Sequence, residues 1–155
     1  MNESGNQALQ KATGAFIQKN WGWTWFATLT HPDDCVTPRQ VEADVRKWLK
    51  GLALLSKSHV IAAVGIEEQI RGAAHAHLLV SFEQSTHIPT ARAGGVVWTH
   101  GEALVVPYES GKGAPWYLAK KGRWGIMSAC NRLHRPSRCK RRGGCVVARE
   151  DVPFF

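Results

Sequence analysis

Two apolar runs of alternating pattern, joined by a short glycine-containing segment, constrain the fold of this chain more than any other feature. The first run covers 59–67 and the second covers 74–82, with Gly72 between them. Alternation at every second residue is typical of a strand that buries one face. The apolar positions are Val60, Ala62, Val64 and Ile66, then Ala76, Leu78, Val80 and Phe82. The pattern therefore predicts an antiparallel hairpin within a sheet.

A well-bounded helix is predicted before the hairpin. Thr37 suits the N-cap, Pro38 the first helical position, and Gln40 a capping box. Apolar residues recur at helical spacing through 41–55, so we expect this helix to pack on the sheet. Further strands are predicted at 23–30, 96–99 and 103–107, a second helix at 115–121, a loose arm within 1–20, and no assigned element beyond 124.

These elements predict an α+β domain, with a central antiparallel sheet and flanking helices. We divide the chain into an N-terminal arm (1–20), a core (21–125) and a basic tail (126–155) packed on the core or extending it. A hydrophobic content of 44% argues against wholesale disorder. No apolar run is long enough to span a membrane, and the first residues lack a secretory pattern, so we expect a cytoplasmic protein without a membrane partner.

The charge of the chain points to a polyanionic partner. The net charge is +8 and the pI is about 9.7, and nucleic acid is the first candidate because phosphate neutralisation supplies most non-specific affinity. The basic residues concentrate after residue 112, where a solvated charged surface is the alternative explanation. The predicted DNA contacts are Lys121, Arg123, Arg132, Arg135, Arg138, Lys140, Arg141 and Arg142.

Paired histidines interrupt the second alternating run. His75 and His77 point to the same side of the predicted strand, opposite Ala76 and the core. Strand parity places Glu67 of the preceding strand on the histidine side, whereas Glu68 takes its place if the register slips by one. Two imidazoles and a carboxylate can hold a divalent metal ion that polarises a phosphate. The alternative is a pair of polar residues on a solvated face.

Tyr117 is the second candidate for chemistry. Lys120 and Lys121 follow it at helical spacings of three and four residues, and a phenol near a metal ion and a lysine can attack phosphorus. The chain has one other tyrosine, Tyr108. The alternative is that Tyr117 anchors its helix to the core.

Three ordered segments, FATLT (26–30), EEQIRGAAHAH (67–77) and YLAKKG (117–122), resemble the motifs of the HUH endonuclease superfamily. The similarity is to its single-tyrosine rolling-circle replication initiators and covers about residues 21–124. It implies a five-stranded antiparallel sheet with flanking helices, of the RRM-like or ferredoxin-like type. It also implies Mg²⁺ or Mn²⁺ held by Glu67, His75 and His77, a covalent 5′-phosphotyrosine at Tyr117, and a charge-neutralising or positioning Lys120.

The implied substrate is single-stranded DNA or an origin hairpin, and the implied setting is the host cytoplasm, with a plasmid- or virus-encoded protein. The sequence contains no phosphate-binding loop of an ATP-driven helicase, so either a host helicase unwinds the duplex or this chain is part of a longer protein; a host helicase and polymerase are the expected partners. Two alternatives remain open at this point. One is a single-tyrosine transposase or relaxase of the same superfamily, and the other is a non-catalytic nucleic-acid-binding module.

The tail contains the ligand types of a structural zinc site, Cys130, His134, Cys139 and Cys145, although their spacing differs from the usual paired cysteines. Scattered reduced cysteines are the alternative. The other histidines (His31, His59, His87 and His100) have no comparable partner, and the sequence assigns them no role.

Overall fold

The computed structural model describes residues 3–32, 35–68, 74–120 and 123–131. One antiparallel sheet of five strands forms its centre, in the order β4-β1-β3-β2-β5. The strands are β1 (Trp25–Thr30), β2 (His59–Glu68), β3 (Ala74–Glu83), β4 (Glu102–Pro107) and β5 (Arg123–Cys130). The helices are α1 (Glu3–Asn20), α2 (Pro38–Ser56), α3 (Ala91–Val97) and α4 (Ala114–Lys120). The predicted α+β class, with helices flanking an antiparallel sheet, is confirmed.

The segment from β1 to β4 has the order β-α-β-β-α-β, in which β2 and β3 form the predicted hairpin. Their register pairs Ile66 with Ala76, Val64 with Leu78 and Val60 with Phe82. All eight predicted apolar positions lie in the main core, which α2 and α3 cover. The hairpin and its buried face are therefore as predicted.

Helix α2 begins where its capping residues predict. The Thr37 hydroxyl accepts a hydrogen bond from the Gln40 backbone N–H, which satisfies one of the free donors of the first turn. The Gln40 side chain contacts Asp44 rather than completing the capping box. The apolar stripe packs into the main core, where the Trp48 indole also donates to the Gly94 carbonyl of α3.

The opposite face of the sheet is covered by α1 and α4. A small second core lies there, built from Ile17, Trp23, Ala63, Leu79 and Leu118. The predicted loose arm is wrong, because Glu3–Asn20 is a helix whose Ile17 is fully buried. Helix α1 has few buried residues, so its stability depends on packing against α4 and the sheet.

Two further predictions are corrected. The strand predicted at 96–99 does not form, because Ala91–Val97 is a helix that the Thr90 side chain caps. Strand β5 was not predicted, and it extends the sheet past residue 125 to Cys130, pairing with β2. Within the described ranges, no helix combines the length and apolar character needed to cross a membrane.

Candidate active site on the helical face of the hairpin

Two rows of cross-strand neighbours build the site. In the first row, Thr30 of β1 lies opposite His75, which lies opposite Glu67 of β2. In the second row, Thr28 lies opposite His77, which lies opposite Gly65. Direct cross-strand partners project from the same face, so the register selects Glu67 as the carboxylate beside the histidines; Glu68 pairs with Ala74 instead.

Threonine hydroxyls of β1 hold both imidazole rings. Thr28 Oγ1 is 3.1 Å from His77 Nδ1, and Thr30 Oγ1 is 3.0 Å from His75 Nδ1. A hydrogen bond at one ring nitrogen orients the ring and leaves the other nitrogen, Nε2, for a ligand or proton. The motif residues Thr28 and Thr30 had no assigned role in the sequence, although their parity on β1 matches that of the histidines on β3.

Tyr117 of α4 reaches this pair of rows. Its hydroxyl donates to Glu67 Oε2 at 3.1 Å and lies 3.5 Å from His77 Nε2. The phenol ring stands edge-on to the His77 ring, with centroids 5.1 Å apart. The hydroxyl, the carboxylate and the imidazole therefore meet at one point, although Tyr117 is 50 residues from Glu67 and 40 from His77.

Close packing of α4 on the sheet depends on Gly65. A Cβ at this position would lie 3.1 Å from Leu118 Cδ2, which is closer than ordinary contact. Leu118 is buried, whereas its neighbour Tyr117 is 38% exposed and turns toward the histidines. Gly65 in β2 thus allows the helix of Tyr117 to approach the strand that carries His77.

One carboxylate and two imidazoles that keep Nε2 for a ligand are side chains that can hold a divalent metal ion. His77 Nε2 and Glu67 Oε2 are 3.6 Å apart, a spacing compatible with two ligands of one ion. The rings of His75 and His77 are nearly parallel, with centroids 6.4 Å apart. Among the described residues, Glu67, His75 and His77 are not a group whose ligand atoms all lie within 4.8 Å of one another, whereas two nitrogens bound to one ion at about 2.1 Å can be at most about 4.2 Å apart. A side chain must therefore move before all three can share an ion.

A cleft of about 400 Å³ opens beside the point where the Tyr117 hydroxyl contacts Glu67 and His77. Thr28, His77 and Tyr117 line its polar side, while Phe26 and Tyr108 contribute aromatic surface. The Phe26 ring stacks on the His77 ring at a centroid distance of 6.2 Å. The cleft therefore combines an apolar wall with a few polar side chains, including Tyr117, a common form of small-ligand site.

Two lysines line the cavities on either side of α4. Lys112 lines the same cleft as Tyr117, whereas Lys120 lines a separate cavity between α1, α4 and β5. Lys112 Nζ is paired with Glu109 at 2.9 Å, and both side chains are well exposed. The structure thus brings Lys112, which had no assigned catalytic role, to the cleft of Tyr117.

The remaining predicted site residues lie outside the described side chains. Arg123 begins β5, and only its backbone is described. The proposed zinc ligands other than Cys130 also fall outside the described part of the chain. The following DNA-contact predictions are likewise outside it: Lys121, Arg132, Arg135, Arg138, Lys140, Arg141 and Arg142.

Tyr108 is the other phenol of the cleft and differs from Tyr117 in its partner. Its hydroxyl donates to the Gln18 side chain of α1. Burial raises the pKa of Tyr108 above its ordinary value, an effect that the hydrogen bond to Gln18 only partly opposes. A phenol that ionises less readily is a weaker nucleophile, so Tyr117 is the better placed of the two.

No family model, curated protein or solved structure matches this chain.

Proposed function

We propose that this chain is a metal-dependent nuclease that cleaves single-stranded DNA through attack of the Tyr117 phenol on a phosphodiester. The observation that carries the proposal is the meeting of the Tyr117 hydroxyl with Glu67 and His77, at 3.1 and 3.5 Å. The neighbouring Leu118 packs into the small core and supplies the apolar contact of α4 with the sheet. A half-exposed phenol between a carboxylate and an imidazole supports a chemical role instead.

The Glu67 carboxylate is placed to accept the phenol proton while the Tyr117 oxygen bonds to phosphorus. The bond from phosphorus to the 3′ oxygen breaks, and that oxygen takes a proton from water. One product is a 5′ phosphate esterified to Tyr117, and the other is a DNA end with a free 3′ hydroxyl. A bound Mg²⁺ or Mn²⁺ would supply polarisation of the phosphate and stabilisation of its developing charge.

Thr28 and Thr30 serve this chemistry by orienting the imidazoles. Each hydroxyl contacts Nδ1 of its histidine, which leaves Nε2 as the nitrogen for a ligand. The support comes from β1 and the ligands from β2 and β3, so the geometry depends on the sheet rather than on a loop.

The cleft supports an unpaired nucleotide as substrate. Its apolar wall includes Phe26, Val106 and Tyr108, and aromatic surface binds unpaired bases by stacking, whatever their sequence. Lys112 offers a cation at the same cleft, and the net charge of +8 favours a polyanion. A base inside a duplex has no free face to place on such a wall.

The ordered motifs support an HUH-type enzyme, and the free 3′ hydroxyl of this reaction can prime synthesis. We therefore propose initiation of rolling-circle replication as the biological role, with a host helicase and polymerase as partners.

A covalent adduct tests the nucleophile. Single-stranded DNA from the protein's own replicon is incubated with the protein and Mn²⁺, and DNA-linked protein is sought on a denaturing gel. We expect an adduct with the native protein and with Tyr108→Phe, the matched control from the same cleft, and none with Tyr117→Phe. An adduct that survives Tyr117→Phe refutes the assignment. Binding of the strand without any adduct in the native protein favours a non-catalytic nucleic-acid-binding module.

A further inference from the structure

A second cluster of metal-ligand types lies under the opposite face of the sheet. His31 follows β1, Asp44 lies on α2, and His100 precedes β4. In the described part of the chain, these are the three residues whose ligand atoms lie within 4.8 Å of one another. Asp44 is 2% exposed and His31 is 5% exposed. The nuclease site shares none of these residues.

The ligand atoms are spaced as ligands of one ion. His31 Nε2 is 3.2 Å from Asp44 Oδ2, and His100 Nε2 is 3.5 Å from Asp44 Oδ1. Two atoms bound to zinc at about 2.0–2.1 Å in tetrahedral geometry lie about 3.3 Å apart. Both histidines thus present Nε2 to opposite oxygens of one carboxylate at the separation that coordination requires.

The surroundings hold the side chains in place. The His31 ring packs edge-on against Trp98 at 5.0 Å and stacks on the His100 ring at 5.8 Å. His31 Nδ1 is buried and has no hydrogen-bond partner among the described residues. The hydrogen bond that these residues make with the ring is therefore at Nε2. A ring fixed by packing loses little further freedom when it binds an ion.

The carboxylate carries the charge that a cation needs. The buried Asp44 carboxylate accepts hydrogen bonds from the Lys47 ammonium and the Gln40 amide, and it contacts His31 and His100. A buried carboxylate with a cationic partner can serve as an anionic ligand.

The Lys47 ammonium would compete with a metal ion for the Asp44 carboxylate. Its ammonium lies 2.9 Å from Asp44 Oδ1, the same oxygen that faces His100, and its side chain is 65% exposed. An exposed lysine can swing into solvent, which leaves Asp44 Oδ1 open to another cation. The cluster therefore has an exchangeable cation on its solvent side.

We propose that His31, Asp44 and His100 bind one divalent transition-metal ion that displaces the Lys47 ammonium, with zinc as the best match. Two imidazoles and one carboxylate are ligands that zinc favours, with water in the fourth position. The ion joins the end of β1, the first half of α2 and the segment before β4. Binding of this ion does not depend on the proposed nuclease activity.

The test uses the full chain carrying His75→Ala and His77→Ala, so that the other candidate site is disabled. Binding of Co²⁺ and Zn²⁺ is measured by calorimetry, and the Co²⁺ absorption spectrum separates nitrogen and oxygen ligands from thiolates of the tail. We expect one bound ion without thiolate absorption and a rise in melting temperature with zinc. His100→Gln, at the more exposed ligand, should weaken binding at least about tenfold.

Lys47→Ala gives the sharper result, because removing the competing ammonium should strengthen metal binding, whereas Lys50→Ala on the same helix should leave it unchanged. A purely hydrogen-bonded cluster predicts no difference between these two variants. Equal affinities in both, or full retention of the ion in His100→Gln, would overturn the proposal. Lys47 and Lys50 are both exposed, so neither lysine substitution alters a buried side chain. The nicking-inactive background keeps the outcome separate from the nuclease proposal.

Discussion

Gly14 of α1 faces the indole of Trp116 on α4 at a distance that no side chain tolerates. A Cβ at Gly14 would lie 2.4 Å from Trp116 Cδ1 and 2.7 Å from Cγ. These atoms are close to the Trp116 backbone, so bending the far end of the side chain cannot relieve the contact. Ordinary contact begins at about 3.4 Å, so the ring or the helix must move by about 1 Å.

Gly14→Ala therefore combines two opposing effects. Forcing an extra methyl group into a packed contact costs about 1–3 kcal/mol. Replacing glycine by alanine within a helix gains about 0.8–1.0 kcal/mol. The net expectation is a loss of about 0–2 kcal/mol, since the packing cost is the larger effect. Gly5→Ala is the control on the same helix, because a Cβ there meets nothing within 4 Å, and it should stabilise by up to about 1 kcal/mol.

The measurement is the free energy of unfolding by urea for both variants and the native protein. Because both variants gain helix propensity, their difference of about 1–3 kcal/mol isolates the packing cost. Equal stabilities for Gly14→Ala and Gly5→Ala would mean that α1 does not pack on α4 as the structure shows. That result would also mean that α1 does not support α4, the helix that carries Tyr117.

Three further outcomes are expected. Thr28→Val removes the hydroxyl that holds His77 Nδ1, so Mn²⁺ affinity measured by calorimetry should fall about 10–100-fold; an unchanged affinity contradicts the orienting role. The pKa of Asp44 is lowered from 3.8 to about 2, so the stabilising contribution of the ionised carboxylate is complete above pH 3.8 and disappears as the pH falls through 2. Between these two pH values, the free energy of unfolding in urea should fall by about 2 kcal/mol more for the native protein than for Asp44→Asn. Gly94→Ala should be about 1–3 kcal/mol less stable than Gly95→Ala, because both gain helix propensity but only the Cβ at Gly94 would lie 2.6 Å from a core indole, the nearest neighbour at Gly95 being at 3.9 Å; equal thermal stabilities would contradict this packing.

The hairpin could be predicted because apolar residues at every second position form a local sequence pattern. Parity alone placed Glu67 on the face of His75 and His77, and the register bears out that placement. The same reasoning could not find Thr28 and Thr30 as the partners of the histidines. Their pairing joins β1 to β3 across 45 to 49 residues, and no local pattern specifies which strands become neighbours.

The missed elements depend on tertiary packing. Ala91–Val97 contains two glycines and two valines, all weak helix formers, yet the Thr90 cap and the contact of Gly94 with Trp25 stabilise a helix there. Every second residue of β5 is buried, but two of these residues, Gly125 and Ala129, are too small to show an apolar alternation in the sequence. Helix α1 buries few residues, and its partner α4 lies about a hundred residues away in the chain.

The end of β1 links the two histidine clusters through one short piece of backbone. The Thr30 side chain contacts His75 on one face of the sheet, and the next residue, His31, contacts Asp44 under α2 on the other. Residues that follow each other in extended chain project to opposite faces. Gly101, with φ of +137°, lets a loop approach so closely that a Cβ would lie 2.3 Å from the Thr30 carbonyl oxygen. Since the same carbonyl accepts the Trp98 indole at 3.3 Å, a shift of this single peptide would disturb the support of His75 and the geometry of His31 together.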